Sequence, residues 1–223
     1  MSSGRRWAGV FFDLDGTLAD TVELILRSYR HTMQVHLGEV LPDGRWLETI
    51  GTPLHLQLGD FARSDEEAGA MLDTYVRFQR SVHDEMVNPF PGAGRVLDVF
   101  RRQGARLAVV TSKRSRIARL TLEVCGLWES VDVVVCADQV EHAKPHPESV
   151  VRALEDLGLS DRAQDVAFVG DSPFDLRAGK AAGTRTAAAL WGPFTKTRLA
   201  AESPDFYLDG LEDALEMRPL RPQ

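Results

Sequence analysis

The spacing of apolar side chains changes along the 223-residue chain. Between residues 20 and 85, apolar positions recur every three or four residues, as in Leu26, Tyr29 and Met33. This spacing predicts amphipathic helices throughout that stretch. From about residue 93 onward, short apolar runs alternate with amphipathic stretches, which predicts strands alternating with helices. Such alternation is typical of a parallel sheet covered by helices on both faces.

The apolar runs define the predicted sheet. Its strands are expected at residues 10–12, 106–110, 132–136, 166–169 and 185–190. We therefore predict an α/β fold with a Rossmann-like, five-stranded parallel sheet flanked by helices. A short strand at residues 206–208 and a terminal helix to Met217 are expected to close the chain.

The helical stretch interrupts the alternating pattern after its first strand. The segment Asn88-Pro89-Phe90-Pro91-Gly92 marks the far end of this stretch, because Pro and Gly punctuate loops. The predicted organisation is a helical cap domain at residues 19–87 inserted into an α/β core domain made of residues 1–18 and 88–223. The two places where the chain crosses between these domains are predicted hinges.

Composition and charge exclude several classes of protein. Hydrophobic residues make up 43% and charged residues 26%, which is typical of a globular chain rather than a disordered one. The formal net charge of -7 disfavours nucleic-acid binding, which depends on Lys and Arg at phosphates. No apolar stretch approaches the roughly 20 residues that span a bilayer, and the N-terminus lacks a signal-peptide pattern. We expect a cytoplasmic protein that binds neither nucleic acid nor membrane.

Two carboxylates follow the first predicted strand directly. Asp13 and Asp15 lie in the segment Asp13-Leu14-Asp15-Gly16-Thr17, where a tight loop can aim both side chains into one small space. One carboxylate can then act as a covalent nucleophile, while the other carries protons for the leaving group and for water. Taken alone, the same residues would also suit a surface turn.

Other polar side chains follow the later strands, and the carboxyl ends of parallel strands form one ligand crevice. Thr111 and Ser112 offer donors for a phosphate oxygen, although both residue types also cap helices. Lys144 precedes a proline, which holds it extended and able to aim its ammonium group inward. Asp171 ends the fourth strand, and Asp175 lies about one helical turn later on the same side.

Several aspartates in one crevice would repel one another unless a cation were bound. Oxygen ligands favour Mg²⁺, which keeps several waters and shares a substrate phosphate. His142 and His146 flank Lys144 but lack a partner at ligand spacing, so no zinc site is expected. Mg²⁺ is therefore the expected cofactor.

Four motifs in this order resemble those of the haloacid dehalogenase superfamily. They are Asp13-Leu14-Asp15-Gly16-Thr17, Thr111-Ser112, Lys144-Pro145 and Gly170-Asp171-Ser172-Pro173-Phe174-Asp175. The helical insertion is similar to the subfamily I cap, and the whole chain is most similar to phosphoglycolate phosphatase-like hydrolases. Four ordered motifs, each behind a predicted strand, are far more specific than any one of them.

The resemblance implies catalytic roles. Asp13 would form an aspartyl-phosphate, and Asp15 would act first as general acid and then as general base. Thr111 would bind the phosphoryl group, and Lys144 would neutralise it and orient Asp13.

The resemblance also implies a metal site. The Asp13 carboxylate, the Asp15 backbone carbonyl and Asp171 would hold Mg²⁺. Asp175 would be either a further ligand or a partner behind the ligands. Ser112 stands where relatives often have Asn, which bears on the contacts near the phosphate but not on the reaction type.

Some related chemistries are separated by residues present or missing. Asp15 argues against a dehalogenase, whose halide leaving group needs no proton. No lysine occurs between Asp15 and Pro91, so the Schiff-base lysine of phosphonate-cleaving relatives is missing. A phosphomutase differs from a phosphatase mainly in how its cap excludes water, so a phosphomutase stays an alternative. A non-catalytic binding or regulatory protein is least favoured, because none of the expected catalytic and metal residues, Asp13, Asp15, Lys144 and Asp171, is missing.

Substrate choice is expected to lie in the cap. Gly51 would permit close approach to the phosphate, and Arg45 would bind a substrate carboxylate or second phosphate, or else be a solvated helix residue. The leading substrate is a small phosphate monoester resembling phosphoglycolate, with pyrophosphate, sugar phosphates and nucleotides as alternatives. The expected partner is therefore a small phosphorylated metabolite, and the chain is expected to be a monomer or homodimer.

Overall fold

Residues 6–219 are described by a computed structural model, and their strands form two sheets. The strands are β1 Gly9–Phe12, β2 Ala19–Asp20, β3 Asn88–Pro89, β4 Arg106–Val110, β5 Val133–Val135, β6 Val166–Gly170, β7 Arg185–Ala189 and β8 Phe206–Leu208. The larger sheet has the order β5-β4-β1-β6-β7-β8, and every neighbouring pair in it is parallel. Strands β2 and β3 form a separate antiparallel pair.

The larger sheet has six strands rather than the predicted five. The short strand β8 pairs in parallel with β7, and the amide of Leu190 donates to the carbonyl oxygen of Leu208 at 2.9 Å. A strand was predicted at residues 206–208 but was not assigned to the sheet, because three residues are too few to show which strand they pair with. Its pairing satisfies backbone groups that β7 would otherwise present at an open edge.

Helices connect these strands. The α-helices of the described residues are α1 Val22–Leu37, α2 Asp43–Leu47, α3 Leu54–Gly59, α4 Asp65–Met86, α5 Ala93–Arg102, α6 Ser115–Val124, α7 Glu148–Asp156, α8 Pro173–Ala181 and α9 Lys196–Ala200. The terminal helix predicted to Met217 is a 3₁₀ segment, Leu211–Glu216. A bilayer-crossing helix, long and apolar, is not found within residues 6–219.

Alternate residues of β1 serve opposite faces of the sheet. Val10 and Phe12 belong to the apolar cluster that includes α5 and α6, whereas Phe11 belongs to the cluster beneath α7 and α8. All three side chains are fully buried. A central parallel strand covered on both faces is therefore apolar along its length. This burial anchors the end of β1 and places Asp13 at the edge of the sheet.

Helices α1 to α4 lie in the predicted cap, and they share an apolar cluster of their own. Tyr29 stacks on Trp46 with 4.4 Å between ring centroids, and both side chains are buried with Met33 and Met71. The chain crosses between cap and core twice, through β2 and β3, which pair with each other. Because the backbone passes between the two parts only at these short strands, they are the predicted hinges.

Candidate active site

Three polar side chains converge because their strands are neighbours. Strand β1 lies between β4 and β6, and Asp13, Thr111 and Asp171 each follow one of these strands directly. Parallel strands that end at one edge place such residues in a common crevice. All three are buried, with only 3–4% of their surface exposed. The crevice is therefore a largely dry environment for two carboxylates.

Lys144 reaches this crevice from the loop after β5. Its ammonium group donates to Asp13 Oδ1 at 2.9 Å, to Asp175 Oδ1 at 2.5 Å and to the Val110 carbonyl oxygen at 3.1 Å. Burial alone would lower the pKa of Lys144, but the Asp13 and Asp175 carboxylates outweigh it and raise that pKa above its ordinary value. Lys144 is therefore a fixed cation that holds the Asp13 carboxylate in place.

The carboxylates outnumber Lys144. One oxygen from each of Asp13, Asp171 and Asp175 lies within 4.8 Å of the others. Burial raises the pKa of Asp13 to about 7, although Lys144 acts to lower it. Burial, together with the charges of Asp175 and Asp13, also raises the pKa of Asp171 well above its usual range. A divalent cation would relieve this repulsion, and donors that are all oxygen fit Mg²⁺ better than zinc.

Asp175 is already engaged in hydrogen bonds. Its Oδ1 accepts from Lys144, and its Oδ2 accepts from the amide and the hydroxyl of Ser172 at 3.0 and 2.5 Å. Asp171 Oδ1 accepts from Thr17 Oγ1 at 2.8 Å, and no Lys or Arg among residues 6–219 is ion-paired with Asp171. The geometry therefore favours Asp13 and Asp171 as direct metal ligands, with Asp175 orienting Lys144.

Two glycines make room for Asp171. Gly16 has a φ of +78°, which side-chain-bearing residues rarely adopt, and a Cβ there would overlap the Asp171 carboxylate. A Cβ at Gly192, in the loop after β7, would overlap the Asp171 side chain from another direction. Gly16 belongs to the first motif, whereas Gly192 lies outside all four motifs and was not predicted from the sequence.

The Asp15 carboxylate is not part of the aspartate cluster. Its Oδ1 accepts from Thr21 Oγ1 at 2.6 Å and is ion-paired with the Lys113 ammonium group. Neither partner was predicted from the sequence. Lys113 could have been recognised in the sequence as a site residue, because it is one of only four lysines and directly follows the Thr111-Ser112 motif. Both partners hold Asp15 beside the linker that leads into the cap.

The predicted phosphate donors have different surroundings. Thr111 Oγ1 accepts from the Lys113 amide at 3.1 Å, whereas Ser112 Oγ donates to the Gly51 carbonyl oxygen at 2.6 Å. Gly51 has a φ of +99°, and a Cβ there would lie 3.2 Å from Ser172 Oγ. The structure thus brings Gly51 to the site. Its carbonyl oxygen, in the cap loop, accepts the hydrogen bond that the Ser112 hydroxyl donates.

A cavity of about 950 Å³ lies between the cap and the core, and Asp13 lines it. Gln57 of α3 also lines this cavity and is buried, with its Nε2 donating to the Thr52 carbonyl oxygen at 2.6 Å. Gln57 Oε1 has no hydrogen-bond partner among the described residues. Arg45, in contrast, is exposed on α2 and does not line the cavity, so the structure does not bring this predicted substrate residue to the site.

Comparisons with known proteins find relatives over nearly the whole chain. Residues 10–189 match the family model described as Haloacid dehalogenase-like hydrolase. The protein named Pyrophosphatase PpaX of Bacillus cereus (strain AH820) is 36% identical over 207 residues, which are 92% of this chain and 94% of that protein.

Solved structures share the fold. One is named a predicted phosphoglycolate phosphatase from Haemophilus somnus, with a TM-score of 0.86 and 21% identity, covering 94% of this chain and 97% of that one. Another is a haloacid dehalogenase-like family hydrolase from Streptococcus pneumoniae, with a TM-score of 0.81 and 22% identity, again over 94% and 97%. At these identities the likeness shows the fold alone.

Proposed function

The chain belongs to the haloacid dehalogenase-like hydrolase family, and on that premise we propose that it is a Mg²⁺-dependent phosphatase acting through an aspartyl-phosphate on Asp13. The family match confirms the resemblance drawn from the four motifs. The observation that carries the proposal is the buried group of Asp13, Lys144 and Asp171. It combines a nucleophile, a fixed cation and a second carboxylate in one crevice.

In the proposed reaction, an Asp13 carboxylate oxygen attacks phosphorus, and the bond from phosphorus to the leaving oxygen breaks. Asp15 donates a proton to that leaving oxygen. Asp15 then takes a proton from the water that hydrolyses the aspartyl-phosphate, which releases phosphate and restores Asp13. Lys144 keeps the nucleophile oriented, and Thr111 with nearby backbone amides binds phosphoryl oxygens. Mg²⁺ held by Asp13 and Asp171 would neutralise phosphoryl charge.

The hydrogen bond from Thr21 gives the cap a part in this reaction. Thr21 directly follows β2, so movement of the cap linker would also move a partner of the Asp15 carboxylate. Lys113 lies on the core side and is ion-paired with the same carboxylate. Asp15, the proposed proton carrier, is therefore held between cap and core. This supports a catalytic cycle in which closure of the cap positions Asp15 at the leaving oxygen.

Pyrophosphate is the first substrate that we propose. The relative named a pyrophosphatase shares 36% identity over 92% of this chain, whereas the structure named for phosphoglycolate shares 21%. Lys113 and Arg114 both line the cavity directly after Thr111 and Ser112. Cations at this position suit a second phosphate group close to the one that is transferred. Phosphoglycolate, which the sequence resemblance made the leading substrate, is now the alternative.

A larger phosphate monoester that bears hydroxyl groups is a second candidate, favoured by Gln57. A buried amide oxygen without a partner costs free energy unless a ligand donates to it. Gln57 Oε1 is itself buried, so a rotation of the side chain would have to turn it into the cavity, where a hydroxyl can donate to it but a carboxylate or a deprotonated phosphate cannot. The cavity of about 950 Å³ also exceeds the needs of pyrophosphate. Sugar phosphates and nucleoside monophosphates carry such hydroxyl groups.

Specificity constants measured with Mg²⁺ for pyrophosphate, phosphoglycolate, sugar phosphates and nucleoside monophosphates test the proposal. We expect hydrolysis that Asp13→Asn lowers by roughly a thousandfold or more. Gln57→Leu should lower kcat/KM about tenfold, near 1.4 kcal/mol, only for a substrate whose hydroxyl meets Oε1. Pyrophosphate hydrolysis should be unchanged in that variant. A wild-type protein that hydrolyses nothing in the panel would refute the phosphatase proposal.

A further inference from the structure

A second group of metal-ligand side chains lies outside the aspartate site, at His142, His146 and Glu148. His142 Nδ1 is 3.0 Å from Glu148 Oε2, and His146 Nδ1 is 3.9 Å from the same oxygen. One ligand atom from each residue lies within 4.8 Å of the others. The expectation that these histidines lack a partner was therefore wrong. Glu148 begins α7, and the tight turn before that helix folds its carboxylate back onto both imidazoles.

The backbone holds the Glu148 carboxylate in position. Its Oε1 accepts from the Glu141 amide at 2.8 Å, and its Oε2 accepts from the His142 amide at 2.9 Å. Within the described part of the chain, its ion-pair partners are the two histidines and no Lys or Arg. Each carboxylate oxygen has two acceptor positions, so a bond to a metal remains available. The anionic donor is thus oriented before any ion binds.

We propose that His142, His146 and Glu148 bind a divalent transition-metal ion of the Zn²⁺ class. Two imidazole nitrogens with one carboxylate are donors that such ions accept, whereas Mg²⁺ takes oxygen donors. Tetrahedral bonds of about 2.0–2.1 Å place neighbouring donor atoms about 3.4 Å apart. The two separations from Glu148 Oε2, 3.0 and 3.9 Å, bracket that value. A bound ion would replace the 3.3 Å hydrogen bond that His146 Nδ1 accepts from the Glu148 amide.

The position of the site allows an ion to enter and links the site to Lys144. The His142 and His146 side chains are 62% and 51% exposed, so a hydrated ion can reach them and keep water as a remaining ligand. These histidines flank Lys144 by two residues on each side, and the Lys144 ammonium group is bonded to Asp13. A bound ion would tie both ends of this short segment to the start of α7. The site is formed by residues that the proposed phosphatase reaction does not use.

Co²⁺ binding to full-length, tag-free protein in excess Mg²⁺ tests the proposal, because Mg²⁺ competes for the aspartate cluster and not for imidazoles. We expect one bound Co²⁺ with visible absorption bands, displaced by Zn²⁺. His142→Asn and His146→Asn should each weaken Co²⁺ binding at least about tenfold. His31→Asn, which changes an exposed histidine of α1, is the matched control and should bind as the wild type does.

Asp171→Asn separates the two metal sites and should leave Co²⁺ binding unchanged. Proton NMR gives a second readout, in which Zn²⁺ shifts the imidazole signals of His142 and His146 but not that of His31. Co²⁺ binding that survives both histidine substitutions, or that is lost in Asp171→Asn, would overturn the assignment. Absence of binding to the wild-type protein would overturn it as well.

Discussion

At the scale of single residues, the site concentrates like charges where water is excluded. Asp171 is 4% exposed, and burial with the neighbouring Asp175 and Asp13 charges raises its pKa. A carboxyl group whose pKa is raised on folding stabilises the folded state below its unfolded pKa, and that stability is lost as pH rises through the folded value. Above neutral pH the metal-free fold therefore carries an electrostatic cost at Asp171, which a bound cation would offset.

We predict that Asp171→Asn stabilises the metal-free protein at pH 8 and removes its response to Mg²⁺. Asn keeps an oxygen acceptor for Thr17 while removing the buried charge. A gain of about 1 kcal/mol is the scale expected when a buried charge conflict is relieved. In a chain of this size it corresponds to an unfolding temperature about 2–4 °C higher. Calorimetry with and without Mg²⁺ measures both effects. A less stable variant that still responds to Mg²⁺ would contradict the prediction.

Asp13 leads to a prediction about pH. Its pKa is raised to about 7, so the carboxyl group is mostly protonated at pH 6 and mostly ionised at pH 8. Mg²⁺ binds the ionised form and must displace the proton at the lower pH. The rise in unfolding temperature caused by a fixed Mg²⁺ concentration should therefore be larger at pH 8 than at pH 6. Measuring the unfolding temperature with and without Mg²⁺ at each pH cancels the effect of titrating groups far from the site. An equal rise at both pH values would count against the ligand assignment.

At the scale of secondary-structure elements, α4 of the cap joins α6 of the core through a buried hydrogen bond. His83 is fully buried near the end of α4, and its Nε2 lies 2.9 Å from Thr121 Oγ1 on α6. Its Nδ1 lies 2.8 Å from Asp84 Oδ1. The bond is close to the second crossing between the domains, so it supports the base of the cap.

Thr121→Val should destabilise the protein by about 1–3 kcal/mol, because it leaves a buried imidazole nitrogen without its partner. The expected fall in unfolding temperature is about 2–4 °C for each kcal/mol. Thr74→Val is the matched control, since Thr74 Oγ1 makes a 2.9 Å bond to His36 Nε2 at a half-buried position within the cap. Thermal unfolding of both variants in one buffer gives the comparison. An equal fall in unfolding temperature in both variants would show that burial of the hydrogen bond between His83 and Thr121 adds nothing to its contribution.

Elements with a clear period were predictable from the sequence, whereas the pairing of short strands was not. The long helices α1 and α4 lie where the helical spacing of apolar residues predicts them. Strand β8 has three residues, so its membership of the sheet depends on pairing with β7 rather than on its own pattern. Strands β2 and β3 have two residues each and exist only because the two linkers meet. We retain residues 19–87 as the proposed cap.

At the scale of the whole molecule, the proposed function requires an acidic protein with a formal charge of -7 to hold an anionic substrate. Local cations, Lys113 and Lys144, lie at the proposed phosphate site on the core side. The cap loop contacts this region through the bond from Ser112 Oγ to the Gly51 carbonyl oxygen. Opening the cavity to bulk solvent would break that bond, and closing the cap would restore it and exclude water.

We predict that beryllofluoride with Mg²⁺, which mimics a phosphoryl group on Asp13, closes the cap. Small-angle X-ray scattering should show a smaller radius of gyration than with Mg²⁺ alone, because the hinge strands β2 and β3 permit the domains to move together. Asp13→Asn cannot accept the mimic and should show no change. Identical wild-type curves under both conditions would exclude a large closure while leaving hydrolysis untouched.

The sequence by itself determined the α/β class and the candidate residues at strand ends, and it predicts an inserted helical cap. These features are encoded locally, since apolar period, Gly and Pro positions and short motifs need no knowledge of distant contacts. Asp13 and Asp171 could be placed at one edge because parallel strands must end together. Their 4% exposure and raised pKa values required the packed structure.

Tertiary structure alone decided which distant side chains meet. It paired Lys113 with Asp15, 98 residues earlier in the chain, and it left Arg45 exposed outside the cavity. It also folded Glu148 onto His142, which turned two separated histidines into a candidate metal site. Ion pairs and ligand sets of this kind depend on distances of a few ångströms between segments, and only the packing of the sheet, the loops and the cap sets those distances.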